Sequence, residues 1–374
     1  MTKPMKIVAD DKIPFLRGVF EPWCEVVYLP GRAISAADVA DADALIVRTR
    51  TRCGEALLKG SRVRFVATAT IGFDHIDAPA LQRLGIAWSN APGCNADSVA
   101  QYVAAVLLGF GIPLSGRTLG VVGVGHVGRR IVKTGEALGM RVLLNDPPRA
   151  EAEGPENFVP LETIRREADV ISLHVPKESG GAHPTVNLID GEFLAGLRPG
   201  ARLISAARGE VVDEAALKSA LRSGPLAEAA VDVWRNEPEI DPELLAMARF
   251  ATPHIAGYST DGKANGTTAA VRFIASGLGI GELREWRAVP PPPADGDTIT
   301  IPPGMPEEAA LRFAVSRTFD LEGASQALKS DRNAFEALRG SAPLRREAPA
   351  YRVNGAAEAV QKKLAGLGFR LLHG

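Results

Sequence analysis

The chain has 374 residues, 46% hydrophobic and 23% charged, a globular composition with enough apolar mass for two or three domains. A formal net charge of −1 offers no global field to nucleic acid or to an anionic membrane, so an anionic ligand must be met by a local cluster of cations. Cys24, Cys53 and Cys94 are odd in number and lack CxxC spacing, which argues against a disulfide framework or a zinc site and for a reducing, cytoplasmic setting.

The N-terminal MTKPMKIVADD is charged and lacks the apolar stretch of a secretory signal. The longest apolar run, residues 102–114, is broken by glycines and a proline and reads as a buried helix rather than a membrane span. Apolar runs of strand length occur at KIVAD (6–10), CEVVYLP (24–30), DALIVR (43–48), RFVATAT (64–70) and GIAWSN (85–90). Helices are expected from residue 11 to Phe20 and between the third and fourth runs, and strands spaced by helices imply a parallel sheet covered on its faces. NAPGCNAD (90–97) breaks the pattern and offers Asn95 or Asp97 as cap of a helix over 98–111, so a domain change is placed there.

A second unit opens at RTLGVVGVGHVGRRIVKTGEALGMRVLLND (117–146), which reads as strand, glycine turn, helix and strand. Further strands are expected at 169–175, 201–207, 228–234 and 249–254, and helices at 161–167, 190–197, 213–223 and 241–247. Together they make a doubly wound sheet of about six strands. The helix over 259–280 is expected to return to the first domain and make it discontinuous.

VPPPPADGD (289–297) is a stiff, extended linker. Beyond it lie a strand at 298–302, helices at 306–316 and 321–339, an extended stretch at 348–353 and a last helix at 356–367. Such an appendage has little core of its own, and burial on a twin is the expected solution. The organisation expected is therefore 1–92 with 258–285, then 93–257, a linker at 286–297, and a small α+β dimerisation domain at 298–374.

Gly123, Gly125 and Gly128 form G-V-G-H-V-G between a strand and a helix, the context in which this spacing binds a dinucleotide. The first glycine makes the tight turn, the second lets a diphosphate approach the backbone near His126 and Val127, and the third packs helix on strand. The diphosphate then meets unpaired N–H groups at the helix start. Asp146 ends the next strand, where a carboxylate bonds ribose hydroxyls and repels a 2′-phosphate; NAD is expected over NADP, with Arg149 nearby as a counter-signal.

Three polar residues follow successive strands: Arg208 in SAARGEVVD, Glu237 in DVWRNEPE and His254 in ATPHIAGYST. Each alone reads as surface or half-buried polarity. Together, beyond strand ends and beside a dinucleotide turn, they look like a site. VRTRTR (47–52) puts Arg48, Arg50 and Arg52 on one face if it stays extended. Asp74, His75 and Asp77 lack metal-ligand spacing, and no metal is expected.

The set Arg208, Glu237, His254, with TATIGFDHID (68–77) and GVVGVGHVGRR, resembles the D-isomer-specific 2-hydroxyacid dehydrogenases. The resemblance implies two doubly wound, Rossmann-like α/β domains with a cleft between them. It implies His254 as base, Glu237 as its partner and Arg208 as clamp on the substrate carboxylate. It also implies cofactor contacts at Asp232, Gly257 and the backbone of Ala206, Ala207 and Arg208, and substrate contacts at Thr49, Thr70 and Tyr258. Val175 stands where the family has a threonine, so a side-chain hydroxyl bond to NAD is missing there.

APGCNADSVAQYV, NDPPRA and the long tail point to a branch acting on a small phosphorylated 2-hydroxy acid. Arg48, and Arg345 or Arg346 reaching a partner subunit, are the candidates for its phosphate. The alternatives are another family member, for example one oxidising 3-phosphoglycerate, and a non-catalytic NAD-binding regulator of the same fold.

Overall fold

The computed structural model describes residues 5–341 and 345–372, and the chain divides into two compact units. The first spans residues up to Asn95 together with Ser259–Pro291. Its strands are β1 (Met5–Asp10), β2 (Cys24–Leu29), β3 (Ala44–Val47), β4 (Phe65–Thr68) and β5 (Ala87–Ser89). They pair in parallel in the order β2-β1-β3-β4-β5.

The pleat divides the side chains of this sheet. Ile7, Ala9, Ala44, Ile46 and Ala67 face one cluster with Val271, Ile274 and Ala275 of the helix Thr260–Leu278. Val8, Leu45, Val47 and Val66 face the other, with Val39, Leu57, Leu58 and Leu81. The 260–278 helix therefore belongs to the first unit because its apolar stripe covers that sheet. Residues 11–20 form turns instead of the expected helix: Phe15 and Gly18 adopt left-handed φ values of 63° and 83°, which a helix does not accept.

The second unit comprises Ala96–Tyr258 with the chain from Pro292 onward. Its strands are β6 (Thr118–Val122), β7 (Arg141–Asn145), β8 (Val170–Leu173), β9 (Ala201–Ser205), β10 (Leu226–Val231) and β11 (Phe250–Ala251). They are parallel, in the order β11-β10-β9-β8-β6-β7, and reverse direction of winding beside β6, where doubly wound sheets bind ligands. Leu119, Val121, Val170, Ile204 and Phe250 pack toward the helices Ala96–Gly109 and His126–Ala137. Val122, Ile171, Leu173, Leu203 and Val231 pack toward Ile164, Leu194, Leu217 and Leu244.

The tail adds β12 (Thr298–Thr300), β13 (Arg352–Asn354) and β14 (Arg370–Leu371), a three-stranded parallel sheet with helices at Glu307–Ser316 and Glu358–Gly366. The helical stretch after residue 320 divides into Leu321–Ser330 and Phe335–Ser341. Sequence alone suggested only a twin as cover for these apolar faces. Within the chain, Ile299, Leu311, Val315, Val353 and Leu364 join one core cluster with Val99, Val103 and Leu138. Among the described residues, no helix is long and apolar enough to cross a membrane.

Candidate active site

The glycine turn leaves β6. Gly123 has φ of 85°, and a Cβ there would lie 2.7 Å from the His174 carbonyl group and 2.8 Å from Val175 Cγ1. A Cβ on Gly128 would lie 2.0 Å from Gly123 O, so helix and turn touch backbone to backbone. At Gly125 a Cβ would meet nothing within 4 Å. That open side, at the cap of the helix His126–Ala137, suits a diphosphate approaching N–H groups.

Asp146 accepts the Val124 N–H at 2.7 Å, and its other oxygen accepts the Arg149 N–H at 3.2 Å. Arg149 donates through NH1 to the Val124 carbonyl at 2.8 Å and pairs with Glu153, Nε to Oε1 at 2.8 Å. Its charge is thereby committed to a neighbour rather than offered to a 2′-phosphate. The residues fit NAD: Gly123, Gly125, His126, Val127 and Gly128 form the turn, Asp146 lies at the next strand end, and Val175 borders the turn.

Arg208, Glu237 and His254 leave β9, β10 and β11, three neighbouring strands, at the same end of the sheet. Two contacts weld their loops. Gly209 packs on the Trp234 backbone so tightly that a Cβ would lie 2.1 Å from it, and Trp234 Nε1 donates to the Thr252 carbonyl at 3.0 Å. Arg208 itself is half-buried, with NH1 donating to its neighbour Ala207 O at 2.8 Å.

Glu237 accepts the Trp234 N–H at 3.0 Å and brackets His254 Nδ1 with its two oxygens at 2.8 and 3.1 Å. Burial pushes the Glu237 carboxyl upward. The hydrogen bond and charge of His254, the Trp234 N–H and the Arg339 charge outweigh it and hold the group below the usual glutamate value of 4.5. An ionised carboxylate only accepts, so the ring proton sits on Nδ1 and the Nε2 lone pair is left for chemistry. His254 has φ of 56°, a left-handed conformation that the surrounding bonds impose.

A depressed carboxylate stabilises the fold above its ordinary value, and that stability is lost as pH falls through the folded value. The urea midpoint of the wild type should therefore drop more steeply than that of Glu237→Gln between about pH 5 and about pH 3. Parallel slopes would contradict the assignment.

Asp232, 1% exposed, holds the chain after β11. Its carboxylate accepts from Thr252 Oγ1 at 2.6 Å, Ile255 N at 2.8 Å and Ala256 N at 2.9 Å. Because Thr252 spends its one proton there, the Tyr102 hydroxyl is the donor in the 2.9 Å bond between them. Burial pushes the Asp232 carboxyl up, opposed by the His254 charge and these donors.

The carbonyls of the same segment are bonded by Arg345, in the tail. It donates to Ile255 O at 3.2 Å, Ala256 O at 2.6 Å, Ser98 O at 3.1 Å and Gln101 Oε1 at 2.8 Å, and stacks on Phe319 at 4.2 Å. Burial lowers its pKa to about 10, against the charges of Asp232 and Glu347. The expectation that Arg345 reaches a partner's phosphate is thus corrected: the residue is only 8% exposed, and its guanidinium is spent on its own chain. Arg346 is half-buried, with its carbonyl accepting from Gln101 Nε2 at 3.0 Å.

Arg345→Met should cost about 3–5 kcal/mol by leaving buried carbonyls unpaired, with Arg345→Lys recovering only part. Denaturant midpoints measure this, and a loss under about 1 kcal/mol would contradict the structural role.

In the first unit, Arg48 forks onto the buried carboxylate of Asp10, Nε to Oδ2 at 3.1 Å and NH2 to Oδ1 at 3.0 Å. The strand ends at Val47, and residues 49–50 turn, so the alternation expected for Arg48, Arg50 and Arg52 does not exist. Thr49 is exposed in that turn. Lys263, which the sequence reading passed over, is lowered to about 8 by burial and by the Arg48 charge.

Thr70 Oγ1 donates to Gly72 O at 2.9 Å, so Thr68 donates to Thr70 at 2.8 Å and His75 Nε2–H donates to Thr68 at 3.0 Å. Burial lowers the His75 imidazole to about 4 and keeps it neutral.

A model of the D-isomer specific 2-hydroxyacid dehydrogenase NAD binding domain matches residues 105–256. An erythronate-4-phosphate dehydrogenase of Bacteroides fragilis is 45% identical over 354 residues, covering 93% of this chain and 99% of that protein. The chain belongs to the D-isomer-specific 2-hydroxyacid dehydrogenases.

A relative of the same name from Azotobacter vinelandii is 44% identical over 379 residues, covering 95% of this chain and 96% of its own. Among solved members of similar fold, the D-lactate dehydrogenase of Aquifex aeolicus, complexed with NAD and lactic acid, is 25% identical with a TM-score of 0.63. It covers 76% of this chain and 99% of its own. The NAD-bound 3-phosphoglycerate dehydrogenase of Entamoeba histolytica is 28% identical with a TM-score of 0.63, covering 77% and 99%. Each of these two solved chains leaves about a quarter of this 2-hydroxyacid dehydrogenase unmatched.

Proposed function

We propose that this dehydrogenase oxidises 4-phospho-D-erythronate at C2 with NAD, giving (3R)-3-hydroxy-2-oxo-4-phosphobutanoate, a cytoplasmic step of pyridoxal phosphate (vitamin B6) synthesis. The observation that carries the chemistry is His254 Nδ1 bound to an ionised Glu237, which frees Nε2 as a base. The substrate assignment rests on the relatives' name and on identity that runs through the tail.

When bound, the nicotinamide supplies the hydride acceptor. His254 Nε2 would take the proton of the C2 hydroxyl as C2 gives up its hydride and the C–O bond becomes a carbonyl. Glu237 steadies the imidazolium that forms. Arg208 carries a planar fork suited to the C1 carboxylate and to the oxygen that becomes the carbonyl. Asp232 and Gly257, with the backbone of Ala206 and Ala207, are proposed cofactor contacts.

Thr49, Thr70 and Tyr258 are proposed substrate contacts, and Arg48 and Arg346 are proposed for the phosphate. We propose a homodimer formed through the C-terminal segment.

The test is NADH formation from 4-phospho-D-erythronate and NAD, with 3-phospho-D-glycerate alongside. Turnover on the glycerate alone keeps the mechanism and removes the substrate. Bound NAD without turnover on either favours a regulator.

A further inference from the structure

The segment Phe335–Ser341 brings one arginine of the tail to the catalytic pair. Arg339 NH1 lies 3.8 Å from Glu237 Oε2, and its guanidinium carbon is 5.7 Å from the centre of the Tyr258 ring. Its Nε is buried and has no hydrogen-bond partner among the described residues, and the side chain is 18% exposed. A half-desolvated cation placed on the carboxylate's side of the pair, and not tied to it by a close hydrogen bond, acts mainly through its field.

We infer that Arg339 is a positioning residue of the catalytic pair, contributed by the tail of the same chain, which holds Glu237 ionised and limits how strongly that carboxylate retains a proton on His254. This rests on the proposed roles of His254 and Glu237.

A base that must give its proton up again gains from such a limit. A carboxylate beside the ring raises the proton affinity of the imidazole, and a cation on that carboxylate lowers it again. Asp232 adds negative charge toward His254, Arg345 lies beyond Asp232, and Tyr258 lies under Arg339. Among these, Arg339 is the cation whose charge acts on Glu237 directly.

Removing it raises the proton affinity of both members of the pair, so the sign of the effect does not depend on how the shared proton is divided between them.

The experiment follows the imidazole signals of the NAD-bound protein by NMR as pH is varied, with the His254 signal assigned by its loss in His254→Gln. In Arg339→Gln the His254 midpoint should move up by about half a unit or more, and Arg339→Lys should bring it back. Arg339→Met, which keeps the apolar stem, repeats the measurement should the glutamine variant not fold. The rising limb of kcat/KM against pH should move in the same direction, with KM little changed.

An unmoved midpoint in a folded neutral variant overturns the inference. So does a rise in KM for the phosphorylated substrate with an unmoved pH profile, because that marks Arg339 as a phosphate contact. The titration needs no substrate, so a wrong substrate assignment fails the turnover assay without touching this result.

Discussion

His254→Ala lowers kcat by roughly 10²–10⁴-fold while leaving NAD affinity within about twofold of the wild type. The reason is geometric. The imidazole is held against an ionised carboxylate, through Nδ1 to Glu237 at 2.8 Å, which leaves Nε2 for the proton. The nucleotide turn at Gly123–Gly128 is built from β6 and the helix after it, and does not depend on that ring. Steady-state kinetics with a fluorescence titration of NADH separates the two effects. A variant that keeps more than a tenth of wild-type kcat would leave His254 without its role.

Gly209→Ala is the second large effect, and it touches no reacting atom. The added methyl would lie 2.1 Å from the carbonyl group of Trp234 and 2.6 Å from Arg235 N. Both neighbours are backbone and cannot rotate aside, so the loop carrying Arg208 must move away from the loop carrying Glu237. Overpacking of this kind should cost about 3 kcal/mol of stability. A shift of about 1 Å between clamp and base partner should cost on the order of 100-fold in kcat/KM. Stability and activity falling together support this picture, whereas a stable variant of normal activity means that the two loops are not coupled through this contact.

The glycine turn was legible in the sequence because its chemistry is steric: few residues other than glycine tolerate φ of 85° at position 123, or a carbonyl 2.0 Å from a Cβ at 128. Arg208, Glu237 and His254 were legible because each follows an apolar run of strand length, and the resemblance supplied their roles. That they leave adjacent strands is a matter of sheet order, which spacing does not encode.

The arginines were misread for two physical reasons. Alternation over residues 47–52 assumed an extended chain, but β3 ends at Val47 and the carboxylate that takes Arg48 comes from Asp10, 38 positions earlier. Arg345 was expected to reach the phosphate of a partner subunit. Its four acceptors lie on Ser98, Gln101, Ile255 and Ala256, 89 to 247 positions away, so only tertiary packing shows that it braces the chain after His254. Arg339, near no motif, gave no signal at all. The helix expected over residues 11–20 as a link between strands is replaced by turns at the left-handed Phe15 and Gly18.

The measurement that bears most directly on the account is isotope transfer. Purified protein is given NAD and 4-phospho-D-erythronate carrying deuterium at C2, and the nicotinamide product is examined by mass spectrometry. Deuterium at C4 of the NADH, formed by the wild type and lost in His254→Ala, is the predicted result. NADH without the label, or label transferred only from a C2-deuterated 3-phospho-D-glycerate, would contradict it.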